Sequence, residues 1–124
     1  MRQIGKAAKE LSTEYSKIGS TGRVGEDALK KLGGESQHRF ETSKGTRIVD
    51  QFVDGVAHES KVGYQSLTNR IKTQIQKDAE LIKTKEIDDA TWHFYESPVT
   101  GKCGPSKPLM DELKKNDIKV EIHK

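Results

Sequence analysis

Asp54-Gly55 constrains this chain more than any other pair of residues, because it sits in the middle of the β-prone stretch Arg47 to Gly63, RIVDQFVDGVAHESKVG. A two-residue Asp-Gly loop specifies a type I′ hairpin turn, in which both central residues take positive φ and the turn twist matches that of the strands. Such a turn fixes the register. Val53 then faces Val56, Asp50 falls opposite Glu59, and Ile48 falls opposite Lys61. The two-residue side-chain period predicts Ile48, Asp50, Phe52, Ala57, Glu59 and Lys61 on one face, with Val49, Gln51, Val53, Val56, His58, Ser60 and Val62 on the other. Two carboxylates directly opposite, with Cβ atoms roughly 5 Å apart, repel unless something positive lies between them. A divalent cation is the natural candidate.

The rest of the chain can build only a modest core around that hairpin. Of 124 residues, 31% are hydrophobic and 33% are charged, which points to a single domain with a small core. No apolar run is long enough to span a bilayer, and no basic start leads into an apolar signal-peptide segment, so the expectation is a soluble chain without a membrane role. A net charge of +3 is too small to argue for nucleic acid by itself. The single cysteine, Cys103, excludes an internal disulfide and a thiolate zinc cluster.

Along the chain, residues 1–22 read as a separate N-terminal helix and linker: Ile4, Ala8, Leu11, Tyr15 and Ile18 form one narrow apolar stripe, and Gly19 to Gly22 break it. That helix is either a plain packing or connecting element or the remnant of a longer upstream protein. Residues 23–124 form the second unit. Ala28, Leu29 and Leu32 mark a short helix stopped by Gly33-Gly34. Gln37 to Thr42 predicts a strand, which leads through Ser43-Lys44-Gly45 into the hairpin. Leu67, Ile71, Ile75, Ala79 and Ile82 predict a long helix from about Ser66 to Lys85. TWHFYE, Thr91 to Glu96, reads as a strand in a parallel crossover. The proline-containing run Ser97 to Pro108 is loop, Leu109, Met110 and Leu113 mark a short helix, and Ile118, Val120 and Ile122 alternate in a last strand.

Asp50, eight intervening residues, then Glu59-Ser60-Lys61 resembles the PD-(D/E)XK signature of restriction-endonuclease-like nucleases, with Val49 where the nominal motif has proline. The element order matches that family's αβββαβ core plus a terminal αβ, a mixed sheet with a central antiparallel hairpin flanked by helices. Glu26, in GEDALKKL, resembles the upstream acidic residue of many members. The run from Trp92 to Lys124 also resembles the tail of C-terminal toxin domains of bacterial polymorphic toxins, including contact-dependent inhibition systems. These resemblances imply a metal-dependent endonuclease acting on DNA or on structured RNA such as tRNA. They imply Mg²⁺ or Mn²⁺ held by Asp50, Glu59, Glu26 and the Ser60 backbone oxygen. In such a site Lys61 orients or deprotonates the attacking water. They further imply secretion or surface display within a larger toxin, action in the target-cell cytoplasm, and a cognate immunity protein. Arg39, Lys44 and Arg47 offer that inhibitor a basic surface.

Each of these readings has a plainer counterpart. The acid and base side chains of the hairpin can simply pair in solvent, which is worth little, and the same scaffold can serve as a non-catalytic nucleic-acid- or protein-binding module. Arg47, Gln65, Arg70, Gln74 and Lys77 are candidates for nucleic-acid contacts. A solvated helix face is the alternative for Arg70, Gln74 and Lys77. The four histidines show no metal-ligand spacing, and His58 and His93 are expected to pack against the opposite layer. Lys102 lies in no phosphate-binding loop motif, and Cys103 has no neighbouring base to make it a nucleophile.

Overall fold

The computed structural model describes residues 23–124, so the expectations for residues 1–22 lie outside the described residues. Helix α1 covers residues 23–30 and stops where Gly33 and Gly34 take φ of 86° and 76°, left-handed values that glycine adopts without strain. Strands β1 (Glu35–Thr42), β2 (Gly45–Val53) and β3 (Val56–Val62) follow as an antiparallel meander. Helix α2 (Asn69–Lys83), β4 (Asp89–Tyr95), α3 (Lys107–Lys115) and β5 (Lys119–His123) complete a five-stranded mixed sheet of order β1-β2-β3-β4-β5, with β3, β4 and β5 parallel. This α/β order is the one the sequence predicts.

The helix boundaries follow from capping. The Thr68 hydroxyl accepts from Ile71 N–H and starts α2, while the Ser106 hydroxyl accepts from Leu109 N–H and starts α3 with a proline in its first turn. Strand β4 is buried along nearly its whole length, with Trp92 and Phe94 on one face and His93 and Tyr95 on the other. Trp92 and Phe94 meet Ile71, Ile75 and Leu81 of α2 and Leu109 and Leu113 of α3 in the main core. Leu29 of α1 is buried against the other face, and a glycine, Gly25, lets α1 approach Ser60 and Tyr95 closely. Of the expected stripe, Ile71 and Ile75 are buried and Leu67 and Ile82 pack partly buried against the core, while Asp78 and Leu81 are buried on α2 in addition. Asp78 is buried with Arg47 and the Trp92 indole as its partners.

The turn is as expected: Asp54 and Gly55 take φ of 50° and 84°, and Val53 pairs with Val56. Above it the expected register does not continue. The β2–β3 ladder ends at Gln51↔His58, so Asp50 and Glu59 are not paired across it. Instead the Asp50 carboxylate accepts the Ser60 N–H at 2.8 Å and the Ser60 hydroxyl at 3.0 Å, taking the place of a ladder carbonyl. Strand β1 accommodates the same break. Its pairing with β2 skips Gln37, which has φ of 53°, and resumes in unchanged register. The side-chain phase slips as a result: Val49 and Phe52 both pack on the core cluster, though three residues apart. Arg47 and Val49 therefore share the α2 face with Phe52, Ala57, Glu59 and Lys61, and Ile48 does not. This corrects the simple alternation the turn predicts.

Candidate functional site

Where β2 and β3 part, a cleft of about 310 Å³ opens, lined by Glu26, Asp50, Glu59, Ser60 and Lys61 together with Arg70 and Gln74 of α2. All the residues expected to form the metal site thus converge from α1, β2 and β3. Asp50 Oδ2 is committed to Ser60, whereas Asp50 Oδ1 has no hydrogen-bond partner among the described residues. Within one extended residue N–H and C=O point to the same edge, so the Ser60 carbonyl faces this gap as its N–H does. Glu26 reaches the cleft because Gly25 seats α1 on Ser60. Burial, and then the nearby Asp50 charge, raise the Glu26 pKa.

Glu59 is the buried carboxylate of the group. Its Oε1 lies 3.2 Å from Arg47 Nη2 and its Oε2 lies 3.2 Å from Lys61 Nζ. Burial outweighs these cations and lifts its pKa from 4.5 to about 7, with Asp50 and Asp78 adding to the rise. Lys61 also donates to Gln74 Oε1 at 2.8 Å and stands 5.2 Å from the centre of the Trp92 ring. The positive charge that the carboxylates of the cleft call for is therefore partly supplied by the protein.

Arg47 is the residue whose role changes most. Expected to touch nucleic acid or an inhibitor, it is 3% exposed and clamps Asp78 through Nε at 2.8 Å and Nη2 at 3.2 Å. Burial alone would lower its pKa, but Asp78 and Glu59 together hold it above the ordinary value. Asp78 additionally accepts the Trp92 indole N–H at 2.9 Å. Sequence reading missed Asp78, although a charge three residues after Ile75 and three before Leu81 falls on the apolar stripe, which is the signal that could have found it.

The other polar candidates divide. Arg70 and Gln74 line the cleft and also an adjoining hollow of about 430 Å³, which Lys77 shares while donating to the Thr46 carbonyl at 2.8 Å. Gln65 lines neither of these. Its side chain donates to Val62 O, and its backbone pairs with Gly104 and Ser106, tying down the proline-containing loop.

The donors in the cleft are hard oxygens: three carboxylates and one backbone carbonyl. That set fits Mg²⁺ or Mn²⁺ rather than a softer ion.

On the opposite face the histidines do more than pack. His58 Nδ1 lies 2.8 Å from His93 Nε2, and His93 Nδ1 lies 3.0 Å from His123 Nε2, forming a chain of imidazoles across β3, β4 and β5 with Glu121 beside it. Burial, followed by the neighbouring His58, lowers the His93 pKa to about 4, and burial also lowers that of His58. Linear spacing hid this grouping because each histidine is on a different strand. The readable signal was the period of two in His93-x-Tyr95 and Glu121-x-His123, since parallel register brings those pairs onto one face.

No protein-family model, curated protein or solved structure matches this chain.

Proposed function

We propose that the chain is a metal-dependent phosphodiesterase that cleaves nucleic acid, with Asp50, Glu59, Glu26 and the Ser60 carbonyl as cation ligands and Lys61 acting on the attacking water. One observation carries the reading: three carboxylates, a backbone carbonyl and an ammonium converge on a single open cleft where the hairpin ladder is interrupted. A bound Mg²⁺ or Mn²⁺ supplies charge neutralisation at the phosphate and lowers the pKa of water. The chain's own residues supply the rest. Asp50 keeps one oxygen turned from Ser60 for the ion, Glu59 gives up its proton to bind, and Lys61 is held by Glu59 and Gln74 at the rim. Arg70, with Lys77 in the adjoining hollow, gives the strand a cationic path.

The substrate is DNA or structured RNA such as tRNA. On the same reading the chain is the toxin module of a larger secreted bacterial protein, acts in the cytoplasm of a target cell, and is held in check by an immunity protein in its producer. Arg39 and Lys44 are exposed and remain candidates for an acidic inhibitor, whereas buried Arg47 does not.

One observation favours a second reading. Both oxygens of Glu59 are already engaged by cationic side chains, as in a self-neutralised polar cluster of a non-catalytic binding module. Incubating the purified chain with plasmid DNA and with total tRNA, in Mg²⁺, Mn²⁺ or EDTA, separates the two. Cleavage of either substrate that requires metal and vanishes in Asp50→Asn and Lys61→Ala is expected. Binding without cleavage under every condition overturns the nuclease reading in favour of the second.

A further inference from the structure

We propose that His93, Glu121 and His123 form a second cation site, suited to Zn²⁺ rather than Mg²⁺, that ties edge strand β5 to β4 beneath α1. Edge strand β5 has only β4 as a sheet neighbour, and the exposed Glu121 and half-exposed His123 belong to it.

The geometry is that of a face awaiting one ion. The three donor atoms stand 3.0 Å (His93 Nδ1 to His123 Nε2), 3.7 Å (His93 Nδ1 to Glu121 Oε1) and 3.6 Å (His123 Nε2 to Glu121 Oε1) apart. Tetrahedral Zn²⁺ with bonds near 2.0–2.1 Å places its ligands about 3.3 Å from one another, within the range these separations span. Two imidazole nitrogens and one carboxylate oxygen make a borderline donor set that favours Zn²⁺ over hard cations. The residues are also pre-oriented. His123 stacks on Tyr95 with ring centres 4.5 Å apart and planes 13° apart. His93 is fixed by His58: a hydrogen on His93 Nε2, donated to His58 Nδ1 at 2.8 Å, leaves the His93 Nδ1 lone pair facing Glu121 and His123. Without an ion, two ring nitrogens 3.0 Å apart must share one proton, and a cation removes that requirement by binding both lone pairs.

A fourth coordination position opens toward a hollow of about 250 Å³ between these residues, Ala28 and Leu29 of α1, and Leu32 just beyond its end. Water or a small anion can occupy it. The same helix carries Glu26 to the carboxylate cleft, so the site lies on the support of that cleft while using none of its donors.

The test uses the full chain as Asp50→Asn, stripped of metal and held in excess Mg²⁺, so that the carboxylate cleft neither gains nor hides Zn²⁺. Calorimetric titration with Zn²⁺ is expected to show one equivalent bound and a raised melting temperature, and Co²⁺ is expected to give the visible absorption of a tetrahedral site. His123→Ala and Glu121→Gln change half-exposed or exposed side chains at the edge of the fold. His123→Ala should abolish both signals, Glu121→Gln should weaken binding, and His58→Ala should weaken it about ten- to a hundredfold. Absence of stoichiometric Zn²⁺ binding to the Asp50→Asn protein, or binding of unchanged affinity in both His123→Ala and Glu121→Gln, overturns the proposal.

Discussion

Burial pushes the Glu59 carboxyl up to about 7 although Arg47 and Lys61 each stand 3.2 Å from one of its oxygens. Between about pH 4.5 and 7 the folded protein therefore favours the protonated carboxyl that the unfolded chain has already ionised. Stabilisation from this group is complete below the ordinary value of 4.5 and is lost as pH rises through about 7. His93 works in the opposite direction: its folded pKa is depressed to about 4, so its contribution is present above the ordinary 6.5 and is lost as pH falls. Subtracting the melting curve of Glu59→Gln from that of the wild type, both in chelator, isolates the carboxyl. The difference should move against the wild type between about pH 4.5 and 7, and a pH-independent difference would contradict the assignment. Asp78 is the other decisive residue at this scale. Removing its carboxylate leaves buried Arg47 with Glu59 alone and the Trp92 indole without its acceptor, so Asp78→Ala should cost about 3–5 kcal/mol in urea unfolding.

Elements were legible wherever a local signal specified them. Asp54-Gly55 demanded its turn, Gly33-Gly34 stopped α1, and the alternation in the last strand placed β5, all from residues next to one another. The interruption above the turn was not legible. It depends on the Asp50 side chain capturing Ser60 and on a left-handed Gln37 in the neighbouring strand, contacts that no two-residue period encodes. The burial of Arg47 was hidden for the same reason, because its partner Asp78 lies 31 residues away on α2. The converging carboxylates could be named from spacing, while the loss of alternation that lets them share a cleft could not. Gly25 gives this scale its prediction. Alanine normally stabilises a helix by about 1 kcal/mol over glycine, but a Cβ here would come 2.7 Å from Ser60 Cβ and 3.1 Å from Tyr95. Gly25→Ala should therefore destabilise the protein and displace Glu26, lowering affinity for Mg²⁺ or Mn²⁺ as well as the urea midpoint. A stabilised variant with unchanged metal affinity would show that α1 does not seat Glu26.

For the whole molecule, the question is whether the polar groups between sheet and α2 are a finished structural network or one built to receive an ion. Folding free energy rests on a small core into which Arg47, Glu59 and Asp78 are packed. A cation that binds only the folded chain stabilises it by RT ln(1 + [L]/Kd), roughly 2.7 kcal/mol at a hundredfold excess over Kd. Wild-type protein should accordingly melt higher in Mg²⁺ or Mn²⁺ than in EDTA. Asp50→Asn retains an oxygen for Ser60, so in EDTA it should melt near the wild type, yet gain little from metal. Lys61→Ala should separate stability from chemistry. It leaves Gln74 Oε1 and Glu59 Oε2 without their donor, costing about 1–3 kcal/mol in EDTA, but spares the carboxylates and so preserves the metal-dependent gain while cleavage is lost. A finished network predicts otherwise: Lys61→Ala is destabilised equally with and without metal, and the wild type does not respond to Mg²⁺ or Mn²⁺ at all. Melting curves of the three proteins under the two conditions distinguish these outcomes without reference to which nucleic acid is cut.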